Sequence, residues 1–85
     1  MIETIEYDIR LHTQLCDNVE YIVDVREDTI VNGEEDSQEY VEGLIFDSYE
    51  KAKLQVDKFI VTYSKKGKVH VTDEPAYFSD TYGDV

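Results

Sequence analysis

The sequence has little of what many functional classes require, with one cysteine, one proline, only eight Lys and Arg residues and no long hydrophobic run. The single cysteine, Cys16, cannot form an internal disulfide. No apolar run approaches the roughly 20 residues of a membrane span, and the acidic, alternating start MIETIEYDIR is unlike a signal peptide. We therefore expect a cytoplasmic protein without a membrane segment.

Catalytic and metal-binding motifs are also missing. The sequence contains no phosphate-cradling glycine loop and no serine-elbow pattern. His12 and Cys16 lie four residues apart, which is too small a set for a zinc site or a Cys-His nucleophile. Asp17, Asp24 and Asp28 do not follow the spacing of a calcium loop. We expect a binding module rather than an enzyme, with no cofactor and no metal site.

Acidic residues dominate what is present. Twenty acids against eight bases give a net charge of −12, and the placement is uneven. Residues 1–50 carry a net charge of −13, residues 51–68 carry +5 and residues 69–85 carry −4. Such an excess disfavours nucleic acid as a direct ligand and accelerates encounter with a basic surface.

The stretch from Asp47 to Gly67 has the strongest structural signal. Asp47 or Ser48 is suited to cap a helix start, and Gly67 to take the left-handed conformation that ends one. At about 100° per residue, six apolar side chains fall on one face of this helix. These are Tyr49, Ala52, Val56, Phe59, Ile60 and Tyr63.

Two segments before the helix alternate with period two, which predicts half-buried strands. The first has Ile5, Tyr7, Ile9 and Leu11 on one face, and the second has Val19, Tyr21, Val23 and Val25. The polar connection 13–18 is short, so the two strands form an antiparallel hairpin.

Residues 32–46 are harder to interpret. Asn32-Gly33 is a strong turn signal, but the acidic run after it does not alternate, and we predict an acidic loop at 32–38. A third strand follows at 40–46, with Gly43 marking a bulge or a close backbone approach. A short helix over 37–42 is the alternative.

Residues 68–72 predict a short strand at a sheet edge. The whole is an α+β fold, β-β-(β)-α-β, with a small antiparallel sheet of 3–4 strands and one helix on one face. We expect one compact domain, residues 1–75, and an aromatic, acidic tail, residues 76–85. The tail either straps an open sheet edge or docks on a partner.

The predicted binding site is the sheet face left free by the helix, together with the acidic loop. Strands hold carboxylates in a fixed grid, which imitates the phosphates of nucleic acid. Ordinary solvation of an acidic surface is the alternative interpretation. The candidate residues are Glu6, Asp8, Glu20, Asp24, Glu27, Asp28, Glu34, Glu35, Asp36, Glu39 and Tyr40.

In size, charge and lack of catalytic motifs the chain resembles the small acidic proteins, often phage-encoded, that block DNA-binding enzymes by mimicking DNA. These include uracil-DNA glycosylase inhibitors, anti-restriction proteins and many anti-CRISPR proteins. The resemblance covers composition and no aligned residues. It implies an inhibitor that occupies the basic groove of a nuclease or another DNA-processing enzyme. The alternatives are a structural or accessory module, homodimeric through sheet edges or the exposed Leu54 and Val61, and an immunity protein for a toxin nuclease.

Overall fold

The computed structural model describes residues 2–15 and 17–73. These form, in chain order, β1 (Glu3–Leu15), β2 (Val19–Val31), β3 (Glu34–Phe46), α1 (Tyr49–Ser64) and β4 (Lys68–Asp73). The four strands make one sheet in the order β3-β2-β1-β4, and α1 packs on one of its faces. The predicted α+β fold is confirmed. Cys16 and the predicted tail lie outside the described residues.

The core forms where α1 crosses the two central strands. β1 and β2 pair antiparallel, with Ile9 opposite Val25 and Leu11 opposite Val23, and all four side chains are fully buried. Full burial of one such side chain contributes about 1.5–3 kcal/mol. The predicted stripe of α1 covers them, because four of its six residues are buried and Ile60 packs beside them. The four buried residues are Ala52, Val56, Phe59 and Tyr63.

Local chemistry sets both ends of α1. The Ser48 hydroxyl accepts the Lys51 N–H at 3.2 Å, which satisfies one of the free N–H groups of the first turn. The predicted left-handed stop at Gly67 is wrong, since the helix ends on Lys65 in right-handed conformation. Gly67 serves a different purpose, because a Cβ there would lie 2.4 Å from the Ile5 carbonyl oxygen.

The last strand gives the sheet its mixed character. β4 lies at the edge, as predicted, but it pairs parallel with β1, with Tyr7 opposite Val69. Because α1 carries the chain from one edge of the sheet to the other, β4 enters in the same direction as β1. The remaining pairs are antiparallel.

The structure of residues 32–46 differs from the prediction, because β3 occupies most of this segment. Asn32 and Gly33 have positive φ angles of 52° and 86° and form a two-residue turn, after which β3 begins at once at Glu34. The predicted loop 32–38 and the alternative helix 37–42 are therefore both wrong. Alternation fails here because β3 is an edge strand with 11 of its 13 residues exposed, so neither face had to be apolar.

Truncation of one leucine in the core and one on the surface tests this packing. We expect Leu11→Ala to lower the free energy of unfolding by about 2–5 kcal/mol, because it removes a fully buried side chain and leaves a cavity. Leu54→Ala, the same chemical change at a position 62% exposed, should change it by less than about 0.5 kcal/mol. Chemical denaturation followed by circular dichroism measures both, and equal losses would contradict the fold.

Candidate functional site: a polar sheet face and an acidic hairpin

The sheet face opposite α1 is a continuous polar surface, which we call the free face. Strand register places Asp8 opposite Arg26, and Arg10 opposite Asp24, on neighbouring strands. β3 adds Gln38 opposite Asp28. Seven of the predicted site residues lie on this face, namely Glu6, Asp8, Glu20, Asp24, Asp28, Glu35 and Tyr40.

Two carboxylates on the free face have a basic side chain as a neighbour within the protein. Asp24 lies 2.9 Å from the His12 Nε2 and 3.6 Å from the Arg10 guanidinium. Glu6 lies 2.6 Å from the His70 Nε2, which the parallel β4 brings beside β1. Asp24 and Glu6 therefore each have a basic side chain beside them at the centre of this face.

Asp8 and Asp28 form a carboxyl pair beside this compensated centre. Their mutual hydrogen bond, together with burial and the repulsion between the two charges, raises the pKa of Asp8 to about 6. The Gln38 amide donates to both carboxylates, at 2.7 Å to Asp28 and 3.3 Å to Asp8. Asp28 is only 7% exposed, so the pair lies at the base of the face rather than on its surface.

A shallow cleft of about 200 Å³ opens over this cluster. Its lining combines carboxylates, guanidinium groups and an amide. The Nε atoms of Arg10 and Arg26, two of the lining residues, are buried and have no hydrogen-bond partner in the described part of the chain. The lining contains no cysteine or serine that could serve as a nucleophile. It comprises Asp8, Arg10, Asp24, Arg26, Gln38 and Thr72.

Sequence reasoning missed Gln38 and His70 as members of this network. Gln38 belongs to the run predicted as a loop, and two bulges in β3, at Asp36 and Val41, bring it opposite Asp28. His70 meets Glu6 only because β4 is parallel to β1. Neither arrangement leaves a periodic signal in the sequence.

The uncompensated charge lies at one end of the molecule, on a segment that we call the acidic hairpin (residues 27–39). It contains no Lys, Arg or His. Glu34, Glu35, Asp36 and Glu39 are exposed, and none of these four lies within 4.0 Å of a basic group of the described chain. Glu35 also raises the pKa of Asp8, the smallest of several contributions, so the hairpin joins the free face electrostatically.

Two acids on the helix side of the sheet serve the fold. Glu27 accepts the Tyr7 hydroxyl at 3.2 Å, and Glu42 accepts the Tyr63 hydroxyl. Burial, followed by the bond to Glu42, raises the pKa of Tyr63 to about 12. Among the acids of the acidic hairpin, Glu27 is therefore the one that accepts a hydrogen bond from a tyrosine of the core.

Comparisons with known proteins found no match to a protein-family model, a curated protein or a solved structure. Within residues 2–15 and 17–73, no three potential ligand side chains are placed to hold a metal ion. In the same ranges, no helix has the length and apolar character needed to cross a membrane. The charge geometry described above is therefore the basis for inferring function.

The carboxyl pair predicts a measurable pH dependence. We expect Asp8 to titrate near pH 6 in the folded protein, and its pKa to fall in Asp28→Asn because the neighbouring charge is gone. The raised pKa means that the folded state binds this proton more tightly than the unfolded state. The contribution of Asp8 to stability is therefore lost as pH rises from about 4 to above 6. Carboxyl-carbon NMR titration measures the pKa directly.

Asp17→Asn is the matched control, since it removes an exposed acid in the β1–β2 turn. The pKa of Asp8 should be unchanged in this variant. A wild-type Asp8 that titrates near 4 would show that the neighbouring Asp28 does not raise its pKa.

Proposed function

We propose that this protein is a non-enzymatic inhibitor that imitates nucleic acid and binds the basic groove of a nuclease or other DNA-processing enzyme. The observation that carries the proposal is the acidic hairpin, a strand-paired segment whose arm at residues 34–39 carries four exposed acids with no basic partner in the described chain. An acidic surface needed only for solubility would not require such a segment free of all basic residues.

The spacing of the hairpin charges supports imitation of a phosphate backbone. Its longer arm has six residues, Glu34 to Glu39, which span about 20 Å at about 3.3 Å per residue. Four exposed acids lie on this arm, so one exposed negative charge falls in about every 5 Å of its length, which is comparable with nucleic acid. One strand of duplex DNA carries one charge per about 3.4 Å.

The hairpin and the free face would act at different stages of binding. Unpaired exposed charges accelerate association with a basic surface, an effect that weakens as salt increases. Tyr40, 60% exposed and lying over Gly43 next to the hairpin, is suited to the buried contact that slows dissociation. The paired charges of the free face would hold the strands that carry the hairpin and Tyr40 in position.

An anti-CRISPR or anti-restriction protein is the most concrete form of this function, with the cytoplasm of the host cell as its location. An immunity protein for a toxin nuclease would use the same surface. In each case the partner is a basic protein, and nucleic acid itself is not a ligand. A homodimeric accessory module is the second candidate, favoured by the outer edge of β3, which has no neighbouring strand among the described residues and exposes Ile45.

Neutralising the hairpin tests the proposal. The wild-type protein and a Glu34→Gln/Glu35→Gln/Asp36→Asn variant are immobilised and exposed to bacterial lysate at low salt. We expect the wild type to retain nucleic-acid-processing enzymes that are released by a duplex oligonucleotide or by salt. The variant should retain about tenfold less, because three of the four unpaired charges are gone.

The matched control is Asp17→Asn/Glu50→Gln/Asp57→Asn, which removes the same number of exposed negative charges elsewhere. It should retain the same enzymes as the wild type. Equal loss in both triple variants would show a nonspecific charge effect, and capture that duplex DNA does not displace would contradict nucleic-acid imitation. A stable dimer in light scattering that captures nothing would favour the accessory module.

A further inference from the structure

The two edges of the sheet differ in how well they are protected. β4 is short, with six residues, and begins with a lysine, which discourages pairing with other chains. β3 is a full 13 residues, and one of its sides has no neighbouring strand among the described residues. An edge of this length offers a row of backbone N–H and C=O groups to any extended segment that reaches it.

β3 is divided into two chemically distinct halves. The half at 34–39 is acidic, and repulsion between its charges protects it from a like-charged strand. The half at 40–46 has no such protection, because four of its apolar side chains are 43–62% exposed. These are Tyr40, Val41, Leu44 and Ile45. Natural edges are normally defended along their length, so an undefended apolar half beside an acidic half marks an interaction surface.

We propose that the outer edge of β3 accepts an extended segment of the partner as a fifth strand, antiparallel to β3, with an apolar first half and a Lys- or Arg-rich second half. This rests on the proposed function, in which the partner is basic. Antiparallel pairing places the start of the added strand opposite 42–46 and its end opposite the acidic half. Backbone hydrogen bonds would supply affinity. Matching the apolar half to the apolar half, and the basic half to the acidic half, would set the register.

The two bulges define where the added strand has regular backbone to follow. They leave Asp36 and Val41 without partners in β2, so the regular stretches of β3 are residues 37–40 and 42–46. The second stretch contains the most exposed apolar residue of β3, Ile45, at 62%. The apolar half of the added strand therefore has the longer regular stretch to pair with.

Charge argues against two other occupants of this edge. A second copy of the chain would double a net charge of −12 without neutralising Glu34, Glu35 or Asp36. The chain's own residues 74–85 include three acids and no Lys or Arg, so they do not complement an acidic half either. A basic segment of another protein satisfies both halves of β3.

The test uses the full-length protein and a synthetic peptide of 13 residues. Its first half alternates Val with Thr, and its second half alternates Lys with Thr. We expect NMR titration of the labelled protein to shift the amides of β3, to slow their exchange and to leave β4 unchanged. A peptide with the two halves in reverse order has the same composition and charge, and should bind about tenfold more weakly because its antiparallel register opposes lysine to the apolar half.

Two substitutions of equal exposure complete the design. Ile45→Lys on β3 should weaken peptide binding by about tenfold, and Leu54→Lys on α1, also 62% exposed, should leave it unchanged. Equal binding of both peptide orders, equal effects of the two substitutions, or a concentration-dependent dimer that occupies β3 would overturn strand addition. Peptide pairing along β3 together with failure to capture any nucleic-acid-processing enzyme would support this edge site while refuting the proposed function.

Discussion

The packing of one short helix on a sheet of long strands is the constraint on which the rest of the molecule depends. α1 has 16 residues, about 24 Å at 1.5 Å per residue, whereas β1, β2 and β3 have 13 residues each, about 43 Å at 3.3 Å per residue. The helix can therefore bury only the middle of one face, around Ile9, Leu11, Val23 and Val25. The opposite face, the β3 edge and the 27–39 end are exposed as a direct consequence.

This limited core explains why acids are distributed in two different ways. Near the centre of the free face, where Asp28 and Asp24 are largely withdrawn from water, each carboxylate is hydrogen-bonded or paired, since an isolated buried charge is costly. At the hairpin, where side chains extend into solvent, unpaired charge costs little. The carboxylates thus belong to a hydrogen-bonded network in one place and stay exposed and unpaired in the other.

Sequence reasoning predicted the elements that bury one face, namely β1, β2 and α1. It failed for the first half of β3, where no face is buried. Alternation identified β1 and β2, and a period near 3.6 identified the buried stripe of α1, because hydrophobic packing imposes those patterns. β3 has no buried face, so its acidic half was taken for a loop although Asn32-Gly33 indicated the turn before it. The candidate site was half predicted for the same reason: the acids were found, but their partners Gln38 and His70 depend on bulges and on a parallel pairing.

The acidic half of β3 addresses a conflict that is common to open sheet edges, between binding an extended segment and avoiding self-association. An edge that is long enough to bind an extended segment is also long enough to join copies of the same chain. Neutral polar residues at 34–39 would leave both processes open, and lysines would favour an acidic partner. Carboxylates repel a second copy, whose own hairpin and net charge are negative, while attracting a basic segment over a Debye length of about 8–10 Å. Under the proposed function, the same residues would disfavour self-association and would select the sign of the partner's charge. The charge of β3 therefore bears more directly on the proposed function than the charge of the whole chain does.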